Sequence, residues 1–263
     1  MGVVAAWIVA VAALGWWSVR TDPPTVPEQR DIADALPVLD RATGALFAAA
    51  TADDRAVVLG DLRVSRDCTV TPVRGGVEAS RDVTVYVQAD QALKALNEIA
   101  ARLPAEFRAE AGASSGGRRV GLYADAGGFV AIDAAADSTT QVLQLRASTG
   151  CRPPADDPDP VQDLPPATRL PDSLRRALAA LGSDDDVATV HEVPCPDGGA
   201  GRTYTVDGVP APRSLGRSLE PVIEGATVVR AEPAGWAYRT GTDSVVIVKD
   251  ADSLRVSVTT ACS

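Results

Sequence analysis

Histidine and lysine are almost missing from this chain: His191 stands alone, and Lys94 and Lys249 are the two lysines among 25 basic residues. A single histidine excludes zinc sites built on several imidazoles, and no two cysteines lie close enough to supply the usual thiolate pair. With a net charge of −10, the chain also lacks the clustered cations that phosphate backbones and anionic lipid headgroups require. No nucleic-acid partner is expected. Aromatic residues make up 4% against 46% hydrophobic overall, so the cores must be aliphatic and rich in alanine. Catalytic motifs are equally sparse. There is no S-x-x-K and no H-E-x-x-H, and the glycine run Pro196–Thr203 has proline where a P-loop needs its first glycine. No catalytic residue, cofactor or metal is assigned.

What is present begins with MGVVAAWIVAVAALGWWSVR, which carries no charged side chain before Arg20. Residues 1–19 would rise about 28 Å as a helix, close to the hydrocarbon thickness of a bilayer. We expect a transmembrane anchor there, with Trp16 and Trp17 at headgroup level. A cleavable export signal ending near Ala10 and Ala12 or Ala13 competes with it, although the basic n-region is lacking. A buried helix is the third reading. Arg20 and Arg30 favour a cytoplasmic body by the positive-inside rule. The cysteines favour an extracytoplasmic one and carry more weight.

Four cysteines, Cys68, Cys151, Cys195 and Cys262, are widely spaced behind this segment, the pattern of structural disulfides in an oxidising compartment. Aligning VLQLRASTGC (142–151) with SLRVSVTTAC (253–262) matches Leu143 to Leu254, Leu145 to Val256 and Ala147 to Val258. Both runs alternate apolar and polar residues, as half-buried strands do. Tyr123 and Tyr238 precede these runs in like order. Helical spacing recurs as well, in Leu93, Leu96, Ile99 and Leu103 and again in Leu215, Leu219, Val222 and Ile223. An amphipathic helix follows each of Leu36-Pro37 and Leu170-Pro171. Each half therefore reads helix, Cys strand, strand, helix, then three strands or so, the last ending in cysteine.

The expectation is a tandem α+β duplication over residues 31–151 and 170–263, each domain with a mostly antiparallel sheet and one disulfide. The pairs inferred are Cys68 with Cys151 and Cys195 with Cys262. Residues 20–30 form a Pro-rich stand-off. Residues 152–169, dense in proline and aspartate, read as a semi-rigid linker that keeps the domains apart.

Residues that invite a chemical reading have simpler ones. His191 beside Glu192 lacks a nucleophile and alternates outward on the Cys195 strand. Asp184, Asp185 and Asp186 read as an acidic cap after a helix, lacking the ligand spacing of a calcium loop. Gly112–Gly121 reads as a flexible loop with two arginines. Trp236, Tyr238 and Arg239 are the candidate binding residues, because aromatics beside arginine are favoured at hot spots.

The anchor, the Pro-rich stand-off and the Ala/Arg-rich body with paired cysteines resemble actinobacterial single-pass, membrane-anchored envelope proteins. That resemblance implies an extracytoplasmic location and no activity. The expected role is a non-catalytic binding or scaffolding protein of the cell envelope, with the membrane as one partner and an envelope protein or wall component as the other. An envelope hydrolase and a carrier of lipid or another small ligand are the alternatives.

Overall fold

A computed structural model describes residues 2–21, 30–72, 74–155 and 164–262. Helix α1 spans Gly2–Thr21. The side chains described in it, Val4 and residues 6–17, are all exposed. Among the described residues, no helix is long and apolar enough to cross a membrane. The span expected over residues 1–19 is therefore not shown. Most of the stand-off at 20–30 and the middle of the 152–169 linker lie outside the described residues.

The first domain opens with α2 (Ile32–Ala50), whose N-cap Asp31 accepts from the Asp34 N–H at 3.1 Å. The helix thus starts before Leu36-Pro37 rather than after it. Pro37 is its sixth residue, past the first turn, and so forgoes the bond its nitrogen would otherwise make to the Ala33 carbonyl. Strands β1 (Ala56–Thr71) and β2 (Arg74–Tyr86) follow, then α3 (Ala92–Arg102) and β3 (Glu110–Ala113), β4 (Arg119–Asp125), β5 (Ala131–Asp137) and β6 (Val142–Ser148). Their order across the antiparallel sheet is β1-β2-β6-β5-β4-β3. The second domain repeats this plan with α4 (Asp172–Ala180), β7 (Thr189–Pro194), β8 (Ala200–Pro210), α5 (Leu215–Ile223), β9 (Thr227–Glu232), β10 (Gly235–Thr240), β11 (Asp243–Asp250) and β12 (Ser253–Thr260). Its order is β7-β8-β12-β11-β10-β9, the same path strand for strand. Four strands, not three, follow the second helix of each half. The additional strand in the first domain, Glu-Ala-Gly-Ala, is too short and too small in its side chains to read as one.

The aligned cysteine strands are equivalent in space. Leu143, Leu145 and Ala147 on β6 and Leu254, Val256 and Val258 on β12 all face inward, none more than 3% exposed. The two tyrosines are not equivalent: Tyr123 is 59% exposed and Tyr238 is 1% exposed. Ala124 is the counterpart of Tyr238: each faces its core opposite Ile132 or Val245, which pair in turn with the equivalent Ala147 and Val258. A one-residue slip reverses the face of a strand residue, and order alone cannot detect it.

Both inferred disulfides are present, Cys68–Cys151 and Cys195–Cys262, with Cα separations of 5.8 and 5.9 Å. Each joins the first strand of its sheet to the end of the last, across the strand between them. Paired this way, the cysteines indicate an oxidising, extracytoplasmic compartment.

The linker does not hold the domains apart, because they share a packed seam. Strand β1 is an edge strand of the first sheet, and it lies against the helix-free face of the second. There the Leu59 N–H donates to Thr203 Oγ1 at 3.0 Å, and Thr203 and Thr259 share a hydroxyl bond of 2.7 Å. Ala56, Tyr86, Val229, Ala237 and Val246 close a small apolar cluster between the domains. Arg81 is buried in the seam, donating from Nη1 to the Glu192 carbonyl at 2.7 Å and from Nε to the Gly60 carbonyl at 2.9 Å. Helix α2 meets the edge of the second sheet at two glycines. A Cβ on Gly44 would collide with the Pro194 carbonyl, and one on Gly201 with the ring of Phe47. The closeness that glycine permits is what lets Val193 and Cys262 join the first domain's core.

The helix-free face of the first sheet, by contrast, is open. Asp82 is paired there with Arg146 at 2.9 Å and Arg63 at 3.1 Å. Thr205 and Ser257 occupy the matching cross-strand position of the second sheet and bond each other at 3.0 Å beneath β1.

Candidate functional site

Strand β10 carries all three candidate binding residues, and its alternation separates them. Trp236 and Tyr238 point toward the helices, while Arg239 points into the seam. Tyr238 is a core residue, and burial pushes its hydroxyl up to about 12. Arg239 donates to Ser244 Oγ at 3.3 Å and to the Thr242 carbonyl at 3.1 Å, with Asp53 of the first domain 3.9 Å away. Both are structural. Trp236 is half-buried and forms one wall of a cleft.

That cleft encloses about 480 Å³ between the loop leading into α5, the β9–β10 turn and the start of the last hairpin. Trp236, Gly216, Leu215 and Leu254 supply its apolar surface, and Arg213 and Lys249 its positive charge. Glu232 also lines it, but Arg230 engages that carboxylate at 2.6 Å. Among the described residues, Arg213 and Lys249 have no carboxylate partner. The Cζ2 edge of the indole abuts Gly216, where a Cβ would stand 2.9 Å from that atom. The helix must therefore begin Leu-Gly for the ring to sit as it does.

The duplicate domain lacks this arrangement. Carried from the equivalent cysteine strands, the register makes Ala134 the counterpart of Ile247; Leu122 pairs with Ala134 as Trp236 does with Ile247, so Leu122 stands where Trp236 does and Ala136 where Lys249 does. Leu93, at the second position of α3, stands where Gly216 does. A large ring against glycine in one domain corresponds to leucine beside leucine in the other. The aromatic wall and the lysine belong to the second domain.

Other candidates are held elsewhere. His191 is half-buried on β7 opposite Thr203. Asp184, Asp185 and Asp186 border an open depression with Arg169 and Arg175. Among the described residues, no group of His, Cys, Asp and Glu is placed to hold a metal. Gly112-Ala113-Ser114-Ser115-Gly116 spells G-x-S-x-G, a match that a reading of this stretch as a plain loop passes over. A nucleophile elbow needs a strand-to-helix turn. Ser114 instead closes the β3–β4 hairpin, its N–H donating to the Arg119 carbonyl at 2.8 Å and its Oγ accepting from the Arg119 N–H at 3.3 Å. Asp40, raised by burial against the pull of Arg81, and Arg81, lowered by burial, both belong to the seam.

No protein-family model, curated protein or solved structure matches this chain. The cleft therefore stands on its own chemistry. Sequence reading found Trp236 and missed its partners, yet one signal was available. Lys249 is one of two lysines in a chain that otherwise uses arginine, and it sits at the exposed end of an apolar strand.

Proposed function

We propose that this is a non-catalytic binding protein of the cell envelope, anchored by α1, with both domains outside the membrane and the Trp236 cleft as its recognition site. The observation that carries the reading is that the cleft's indole and lysine have no equivalent at the matching positions of the otherwise parallel first domain. A shared scaffold accounts for the common strand path, and the aromatic and cationic lining that differs is where selection for a ligand would act. The disulfides support the compartment. The exposed apolar side chains of α1, Trp7, Ile8, Val9, Val11 and Leu14 among them, support the anchor, since a bilayer removes that surface from water. Trp16 and Trp17 are suited to its interfacial end.

The test uses full-length protein in native membranes. Alkylation without prior reduction should leave all four thiols unmodified, and alkaline extraction should leave the protein in the pellet. A photo-crosslinking residue in place of Ala211, on the cleft rim, should give a discrete adduct that the same group at Glu106 does not. Reactive thiols would sink the compartment, release by alkali the anchor, and equal adducts at the two positions the binding site.

A further inference from the structure

The cleft's lining specifies a class of ligand. Three features act together: a half-buried indole in the cavity wall, two cations without carboxylate partners among the described residues, and an acid, Glu232, already engaged by Arg230. In a chain of net charge −10, a pocket whose uncompensated charge is positive selects for an anion. An indole adds a flat apolar surface that a bare inorganic anion cannot use, but the C–H face of a sugar ring can. The volume of about 480 Å³ holds one or two such rings, at the low end of the range for small-molecule sites.

We propose that the Trp236 cleft binds an acidic saccharide unit, its ring stacked on the indole and its carboxylate or phosphate held by Lys249 and Arg213. This rests on reading the cleft as the recognition site and adds what it recognises. Lys249 and Arg213 project from different segments, β11 and the loop before α5, so an acid group that engages both also fastens the loop to the sheet.

Calorimetric titration of the full-length protein in detergent micelles tests this with four probes: glucuronate, glucose 6-phosphate, glucose and inorganic phosphate. At least one of the two acidic sugars should bind tenfold or more tighter than both glucose and inorganic phosphate. Which of the two is preferred distinguishes a carboxylate from a phosphate source. Lys249→Ala and Arg213→Ala, at exposed positions that leave the fold intact, should each weaken that binding at least fivefold, as should Trp236→Ala. Equal binding of glucose would remove the ionic part, and equal binding of inorganic phosphate would reduce the site to an adventitious anion contact. Lack of binding by either acidic sugar at millimolar concentration overturns the ligand class. If the Ala211 crosslink still forms its discrete adduct, the recognition site survives that failure; if neither is seen, both readings fall.

Discussion

Gly44 lies within α2, where alanine would ordinarily favour the helix by about 1 kcal/mol. The Pro194 carbonyl occupies the space that alanine's Cβ would need, so the usual preference should reverse. Gly44→Ala is expected to lower stability by about 1–3 kcal/mol, the range for overpacking a tight contact, measured by urea denaturation. A raised midpoint would mean that the two domains do not meet as described. Tyr238 makes the second residue-scale prediction. Its hydroxyl is pushed from an ordinary 10 up to about 12 by burial, with nearby Arg176 partly opposing the rise. The unfolded chain therefore loses this proton before the folded one does. Stability supplied by the neutral phenol is complete below pH 10 and drains away as pH rises toward about 12. The loss is on the order of 2–3 kcal/mol at about 1.4 kcal/mol per unit. Tyr238→Phe should flatten the alkaline limb of the stability curve by that amount, and a variant with the same alkaline slope as the parent would refute it.

At the scale of elements, the two disulfides can be compared directly because they close similar loops, with sequence separations of 83 and 67 residues. Chain entropy alone gives each about 4 kcal/mol, slightly more for the longer loop. Packing reverses that order, since Cys262 rests against the cluster that joins Val193 to the first domain's core, and among the described residues neither Cys68 nor Cys151 belongs to it. Replacing Cys195 and Cys262 by serine should therefore cost more than replacing Cys68 and Cys151, read as the difference in thermal midpoints. Equal losses would show that the bridges act on the unfolded chain only. The disulfide pairing and the repeated strand path were legible because they depend on order along the chain and on period-two alternation, which Leu143, Leu145 and Ala147 display openly. The slip between Tyr123 and Ala124 was not, because it turns on a single register step. Nor was the seam, whose residues are small or polar: Gly44, Gly201, Thr203 and Thr259 carry no apolar pattern, and only close approach gives them a role. The cleft was half legible for the same reason. An isolated tryptophan is conspicuous, whereas the glycine that accommodates it looks like any other.

For the molecule as a whole, the seam predicts that two domains of parallel design behave as one cooperative unit. Calorimetric and van't Hoff enthalpies should agree in a single transition. Arg81→Met should split that transition in two, by removing the bonds to Glu192 and Gly60 while keeping most of the side chain's bulk. A single transition in the variant would show that the apolar cluster around Tyr86 and Val246 suffices alone. The manner of joining has a further consequence. The domains are not related face to face: the edge of one covers the open sheet of the other, which is a head-to-tail contact of the kind that goes on adding units unless something ends the series. The next unit would have to cover the Asp82, Arg146 and Arg63 ladder and strip water from three charges, where Thr205 and Ser257 ask only that two hydroxyls meet. That ladder sets a desolvation cost against any further unit docking on the first domain by the same contact.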